Sequence, residues 1–216
     1  IKWVLGLSLA WFALFTSHNL MVLIFTPVFS IWCVVHIWKN SGWKRIPALV
    51  VSGIFSFGLS AFFTLPVILE TKLVQANSLV EGYYEYIAHF ADINQLLFSR
   101  FWGYGPSVWM EMDKMSFQVG HLHWILSLVI LALVLINRKS YILILFFIAV
   151  GWFSAFMAHS RSTFIWQAIP FLKYVQFPWR FLTIAIFSFS FVIGSLPQFI
   201  FDKQIQKRVT AILITA

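Results

Sequence analysis

Charge is scarce in this chain. Charged residues make up 10% of its 216, while hydrophobic residues make up 61%. A soluble domain of this length has to cover its core with charged and polar surface, and this sequence lacks the means to do so. Acid is scarcer still, with seven Asp and Glu against fifteen Lys and Arg and a net charge of +8. Such a surplus can mark a nucleic-acid binder. Here the basic residues stand at the ends of apolar runs, with no continuous basic face and no soluble module to carry one. No nucleic-acid partner is expected. Cysteine is almost absent: Cys33 alone excludes an intrachain disulfide and a cysteine-based zinc site, and between Trp32 and Val34 it reads as packing. No glycine-rich phosphate loop or serine-hydrolase elbow appears either.

What the chain has in quantity is long apolar runs, with a mean hydropathy of +0.86. A bilayer core takes roughly 20 apolar residues per helix. Runs of that kind fall near 1–16, 20–38, 46–69, 123–137, 141–158 and 181–201, and a seventh starts near Val209. The expected fold is therefore all-α, a polytopic bundle of about six spans plus a truncated seventh, forming one transmembrane domain over 1–216. Pro27, Pro47, Pro66 and Pro197 lie in or near spans, which membrane helices tolerate. The chain starts at Ile1 and stops inside an apolar run at Ala216, so an internal segment of a longer protein is expected.

Orientation follows from lysine and arginine. Lys39, Lys44 and Arg45 share one short connection, Arg138 and Lys139 another, and Lys203, Lys207 and Arg208 a third. Alternating spans put all three on one side, with Lys2 and the single acid Asp202; that side is expected to face the cytoplasm of a multi-pass protein of the plasma or inner membrane. The other side receives Ser17-His18-Asn19, the segment 70–122 and the segment 159–180. It also holds Glu70, Glu81, Glu85, Asp92, Glu111, Asp113 and every histidine except His36. Chemistry is expected on that extracytoplasmic side.

Segment 70–122 is too long and too patterned for a passive linker. Ile87, Phe90, Ile93, Asn94, Leu97 and Phe101 recur at helical spacing, which predicts an amphipathic helix over 86–101 lying in the membrane interface. After it, Gly103, Gly105 and Pro106 predict turns beside Trp102, Tyr104 and Trp109. Those aromatics are read first as an interfacial belt, and the same residue types also serve as platforms for stacking sugars. In the segment 159–180, Pro178 turns Phe177 away from helix and starts the span that follows. Arg180 then stands at the outer mouth of that helix, where a guanidinium can either hold a phosphate bidentately or snorkel to ordinary headgroups.

Two helix ends also draw notice. His18-Asn19 tips a very tight outer hairpin, either as ligands or as a polar turn that satisfies the helix ends. Glu70 follows its span, where a carboxylate opposes the helix macrodipole; Lys72 or a substrate would offset that. His121 and His123 are two apart, which is not the spacing of one helix face, and no metal or cofactor is expected, although a divalent ion is left open.

Five strings in order carry a resemblance: SHNLMVLIFTPVF, LSAFFTLPVILE, HFADINQLLFSRFWGYGPS, DKMSFQVGHLH and YVQFPWRFL. Together they resemble the bacterial and archaeal membrane proteins labelled 6-pyruvoyl-tetrahydropterin synthase-related, whose architecture is similar to that of GT-C glycosyltransferases. The resemblance runs from about residue 10 to 185. It implies a GT-C-like fold, a polyprenyl-phosphate-linked sugar as partner alongside the bilayer, and a catalytic acid upstream of this segment. It also implies that His18, Asn19, Glu70, His89, Asp113 and Arg180 line an outer cavity, with Arg161 or Lys173 helping Arg180 to neutralise the leaving phosphate. Two further readings stand beside the enzyme: a flippase for a lipid-linked saccharide, and a non-enzymatic envelope-assembly protein. A transporter is expected to carry ionisable residues within its spans, and this chain has almost none.

Overall fold

The computed structural model describes every residue except 41, 71, 72, 74, 76, 77, 79, 109–112, 138–140, 201, 202 and 216, and the side chain of Thr215. Lys72, Trp109, Glu111, Arg138, Lys139 and Asp202, which figure in the expectations above, thus lie outside the described residues. The helices are α1 (Lys2–Ser17), α2 (Asn19–Lys39), α3 (Ile46–Leu69), α4 (His121–Asn137), α5 (Ile142–Met157), α6 (Thr163–Ala168), α7 (Leu182–Ile193) and α8 (Lys203–Thr215). Among the described residues there is no strand, only two isolated bridges.

A helix stands at each of the six expected places. Three stretches are long and apolar enough to cross a membrane: Asn19–Lys39, Gly42–Leu69 and Pro178–Phe199. α1, α4 and α5 are apolar but have 16, 17 and 16 residues. α8 begins at Lys203, earlier than the apolar run near Val209, because Lys203, Gln204, Gln206, Lys207 and Arg208 are good helix formers and extend the helix through polar sequence.

The chain divides into two compact units, Ile1–Gly82 and Tyr83–Ala216. In the first, α1 and α3 pack through small residues. Ser52, Ser56 and Ser60 recur every fourth position on α3 and are fully buried, while Val50, Ile54, Phe55, Phe62 and Leu69 point outward. The Ser8 hydroxyl donates to the Ser52 carbonyl at 3.3 Å, and the Ser52 hydroxyl donates to the Val4 carbonyl at 3.3 Å. Small residues let two backbones approach, and large apolar groups gain nothing by leaving lipid; this inside-out pattern is that of membrane helices.

In the second unit α5 packs on α7. Gly151 makes this possible: a Cβ there would lie 2.6 Å from the Phe189 ring. Ala155, Ala158, Leu182, Ala185 and Phe189 form a core that continues into Ala91, Leu96, Phe117 and Val119 of the long segment. That segment is tied down by backbone bonds, Ala91 N–H to the Ala158 carbonyl at 3.0 Å and Val119 N–H to the Leu96 carbonyl at 2.9 Å.

The expected amphipathic helix over 86–101 does not form. Tyr86–His89 is a short 3-10 turn, Phe90 to Asp92 is extended, and Asn94–Phe98 is a single π-type turn closed by Ser99 N–H on the Asn94 carbonyl at 2.7 Å. Pairing of Ala91 with the 158–159 backbone takes the chain out of helix, and buried Phe90 packs edge-on to Trp166. Gly103 and Gly105 also act differently from the expected turns. They let 103–106 run against 114–116, since a Cβ on Gly105 would lie 2.2 Å from the Lys114 Cβ.

Candidate functional site

Three of the six expected site residues, His89, Asp113 and Arg180, gather in the second unit. The 103–106 and 114–116 pairing brings Val108 within reach of Asp113, whose carboxylate accepts from the Val108 N–H at 2.7 Å. Its other oxygen accepts from the Gln95 amide at 2.8 Å. Gln95 is placed by a reciprocal pair: its N–H donates to Asp92 at 2.7 Å, and its own amide oxygen accepts from the Asp92 N–H at 2.9 Å. Burial raises the Asp113 carboxyl above its ordinary 3.8, outweighing the lowering effect of Gln95, Val108 and His89. Asp113 and Gln95 line an open cleft of about 300 Å³ with Ser99, Ser116 and Phe101.

His89 is only 1% exposed and has both ring nitrogens engaged. The Tyr83 carbonyl accepts from Nε2–H, and Nδ1 faces the Ser107 hydroxyl at 2.9 Å. The ring therefore ties Ser107 to the Tyr83 backbone and presents no nitrogen to a cleft. Its face meets Phe177 edge-on at 4.7 Å.

Phe177 leads to Arg180. The Arg180 guanidinium lies 4.8 Å from the Phe177 ring centre and 6.0 Å from that of Trp179. Nη1 donates to the Val175 carbonyl at 2.6 Å and to the Gln176 amide oxygen at 3.0 Å. Gln176 has φ 65 and ψ −56, and the Phe177 N–H reaches back to the Val175 carbonyl at 2.7 Å. This is the rare positive-φ γ-turn, a strained conformation of the kind found at functional sites. Nη1 is fully spent on it, whereas Nε and Nη2 have no hydrogen-bond partner among the described residues. Those two atoms form the side-on edge that matches a phosphate or carboxylate. Arg180 also stands in the 3-10 turn Pro178–Phe181 that opens α7, at the positive end of that helix.

The other expected residues lie elsewhere. His18 is exposed and caps α2, its Nδ1 accepting from the Leu20 N–H at 3.2 Å; Asn19, also exposed, begins that helix. Glu70 is exposed at the end of α3, with its backbone N–H on the Pro66 carbonyl at 2.8 Å. Both features belong to Ile1–Gly82, a different unit from the Arg180 turn. Arg161 is exposed, and Lys173 lies over Tyr174 at 5.2 Å; neither contacts Arg180. His123 pairs with the Ser190 hydroxyl at 3.1 Å. Among the described residues no three His, Cys, Asp or Glu side chains are grouped to hold a metal.

Gln95, Ser107 and Gln176 were not singled out from the sequence. Asp92-x-x-Gln95 has the spacing of a capping box and was legible as one. Nothing local marks Ser107 or the γ-turn. No family model, curated protein or solved structure matches the chain.

Proposed function

We propose that this chain is the membrane-embedded part of a GT-C-type glycosyltransferase that moves a sugar from a polyprenyl-phosphate carrier on the extracytoplasmic side of the plasma membrane. One observation carries the reading: Arg180 is held by Nη1 in a strained turn while its Nε–Nη2 edge stays open at a helix N-terminus. An edge pre-positioned this way suits a phosphate that gains charge as it leaves. In the transfer, an acceptor hydroxyl oxygen bonds the anomeric carbon and gives its proton to the catalytic carboxylate that the resemblance implies outside this segment. The carbon–oxygen bond to phosphate breaks, and the phosphate departs with the electron pair. Arg180 stabilises that departing charge. The Asp113 cleft offers a carboxylate, an amide, two hydroxyls and the Phe101 ring, a set that suits a polyhydroxyl group.

The test is Arg180→Lys in membranes containing the full-length protein, supplied with a panel of radiolabelled polyprenyl-phosphate hexoses. Release of free polyprenyl phosphate is read, since it depends on neither the sugar nor the acceptor being known. A charge-assisted contact contributes about 1.5–3 kcal/mol, so the lysine variant should release the carrier roughly ten- to a hundredfold more slowly. Full activity in a normally inserted Arg180→Lys would reduce Arg180 to an interface anchor. Movement of intact donor across sealed vesicles, without release, would make the protein a flippase instead.

A further inference from the structure

A large cavity lies far from Arg180 in sequence, within Ile1–Gly82. It holds about 1,020 Å³ between α1, α2 and α3, with walls that include Phe29, Trp32, Cys33 and Leu49. His36 and Arg45 line one end of it.

That end is crowded with donors. Asn40 directs its amide nitrogen at the His36 carbonyl at 3.0 Å, which fixes the amide orientation and places the same nitrogen 3.2 Å from His36 Nδ1. Arg45 Nη1 approaches the other ring nitrogen at 3.1 Å. Both neighbours donate, and a neutral imidazole has one lone pair, so one of the two contacts has donor facing donor. Arg45 is also the N-cap of α3, with Lys44 beside it, where the helix macrodipole repels cations. The only acids in this unit are Glu70 and Glu81, both beyond the far end of the 24-residue α3, which spans about 36 Å. No protein carboxylate of the unit reaches Arg45.

We infer that this cavity binds an anionic phospholipid, with its phosphate on Arg45 and the His36–Asn40 pair and its acyl chains along Phe29, Trp32 and Leu49. A phosphate supplies the acceptors that the cluster lacks and offsets the charge that α3 repels. Its chains suit an apolar space beside α2 and α3, which lie in stretches long and apolar enough to cross a membrane. A free anion would satisfy the donors and leave the apolar volume unexplained.

Cys33 is the only cysteine of the chain and lines the cavity, so it reports occupancy directly. The purified protein in neutral detergent is treated with N-ethylmaleimide while phosphatidylglycerol, phosphatidylcholine or inorganic phosphate is titrated in. Modification is followed by intact-protein mass spectrometry. Phosphatidylglycerol should slow modification, and phosphatidylcholine and inorganic phosphate should not. Arg45→Gln should raise the phosphatidylglycerol needed for half-protection about tenfold, the loss of one charge-assisted contact. Arg45→Lys, which keeps the charge, should keep part of the selectivity and serves if the glutamine variant does not fold. Equal protection by both lipids, protection by phosphate alone, a cysteine unreactive without lipid, or an unshifted Arg45→Gln titration would each overturn the assignment.

Discussion

Both units bury serine, but only Tyr83–Ala216 also buries many large aromatic and aliphatic side chains. In the first unit Ser8, Ser52, Ser56 and Ser60 are at or below 2% exposure, and Ile24, at 3%, is the one buried large apolar side chain among the described residues. In the second, Trp166, Phe189, Ile130, Met157 and Ile184 are all nearly inaccessible. The contrast follows from what each unit contains. Three helices joined by short turns have satisfied backbones and need only close approach. The second unit carries a long polar segment whose backbone must find partners inside the protein, and it does so over a core of large side chains. Where backbone irregularity is concentrated, the candidate chemistry is concentrated too.

The largest effect on that comparison should come from Gly151→Val. With a Cβ already 2.6 Å from Phe189, the extra methyls should cost about 3 kcal/mol by overpacking α5 against α7. Hydrogen exchange in detergent should show lost protection in α5 and α7, with α1 and α3 unchanged. Equal loss in α1 and α3 would mean that the two units are one cooperative body.

Ser52→Leu probes the other unit. Its side chain would force α1 away from α3, an overpacking cost of about 1–3 kcal/mol. Ser52→Ala keeps the close approach and removes a hydroxyl that donates to the Ala48 carbonyl of its own helix at 2.8 Å. The same hydroxyl donates more weakly to the Val4 carbonyl of α1 at 3.3 Å, a bond worth about 0.6 kcal/mol between membrane helices. Melting in detergent should rank wild type, Ala, then Leu, and a leucine variant as stable as wild type would remove the small-residue account of this unit.

A smaller effect is expected at Gln176. Gln176→Ala loses one of the two acceptors of Arg180 Nη1 and keeps the positive φ, so it should cost about 1 kcal/mol. Gln176→Gly loses the same bond but relieves backbone strain of similar size. Glycine should therefore melt higher than alanine; the reverse order would show that the γ-turn stores no strain.

Asp113 should give the smallest effect, visible as a pH trend. Its folded carboxyl is raised, so its contribution to stability is fully present below the unfolded value and is lost as pH rises through the folded one. Relative to Asp113→Asn, which does not titrate, the wild type should lose stability as pH rises from about 3.8. A difference in melting temperature that stays constant with pH would show that burial does not perturb this group.

The sequence and structure agree best where the controlling information is local. The tight hairpin at His18 ends α1 and starts α2 as expected, because the ring itself supplies the cap. Pro178 starts the helical stretch that continues into α7 as expected, because its ring fixes φ. Residues 86–101 went the other way. Their apolar spacing is helical, but Ala91 pairs with Ala158, and Phe90 and Leu96 are buried in the fold rather than facing a membrane surface. His89 and Asp113 were legible as polar residues of note, yet their roles depend on Ser107, Val108 and Gln95.

Sequence alone was enough for an all-helical chain and for the places of its main helices, while of the six expected spans three fall in stretches long and apolar enough to cross a membrane. Apolar length and caps act over one or two turns, so no distant residue is needed to read them. Only the tertiary structure decided that 86–101 breaks, that His89 is buried with both nitrogens engaged, and that Arg180 spends one side of its guanidinium on a γ-turn while leaving the other open. Each of these rests on a backbone group that the chain must satisfy with a partner away in sequence or out of regular structure. The free energy of such a pairing outweighs local propensity wherever a polar segment is packed inside the protein.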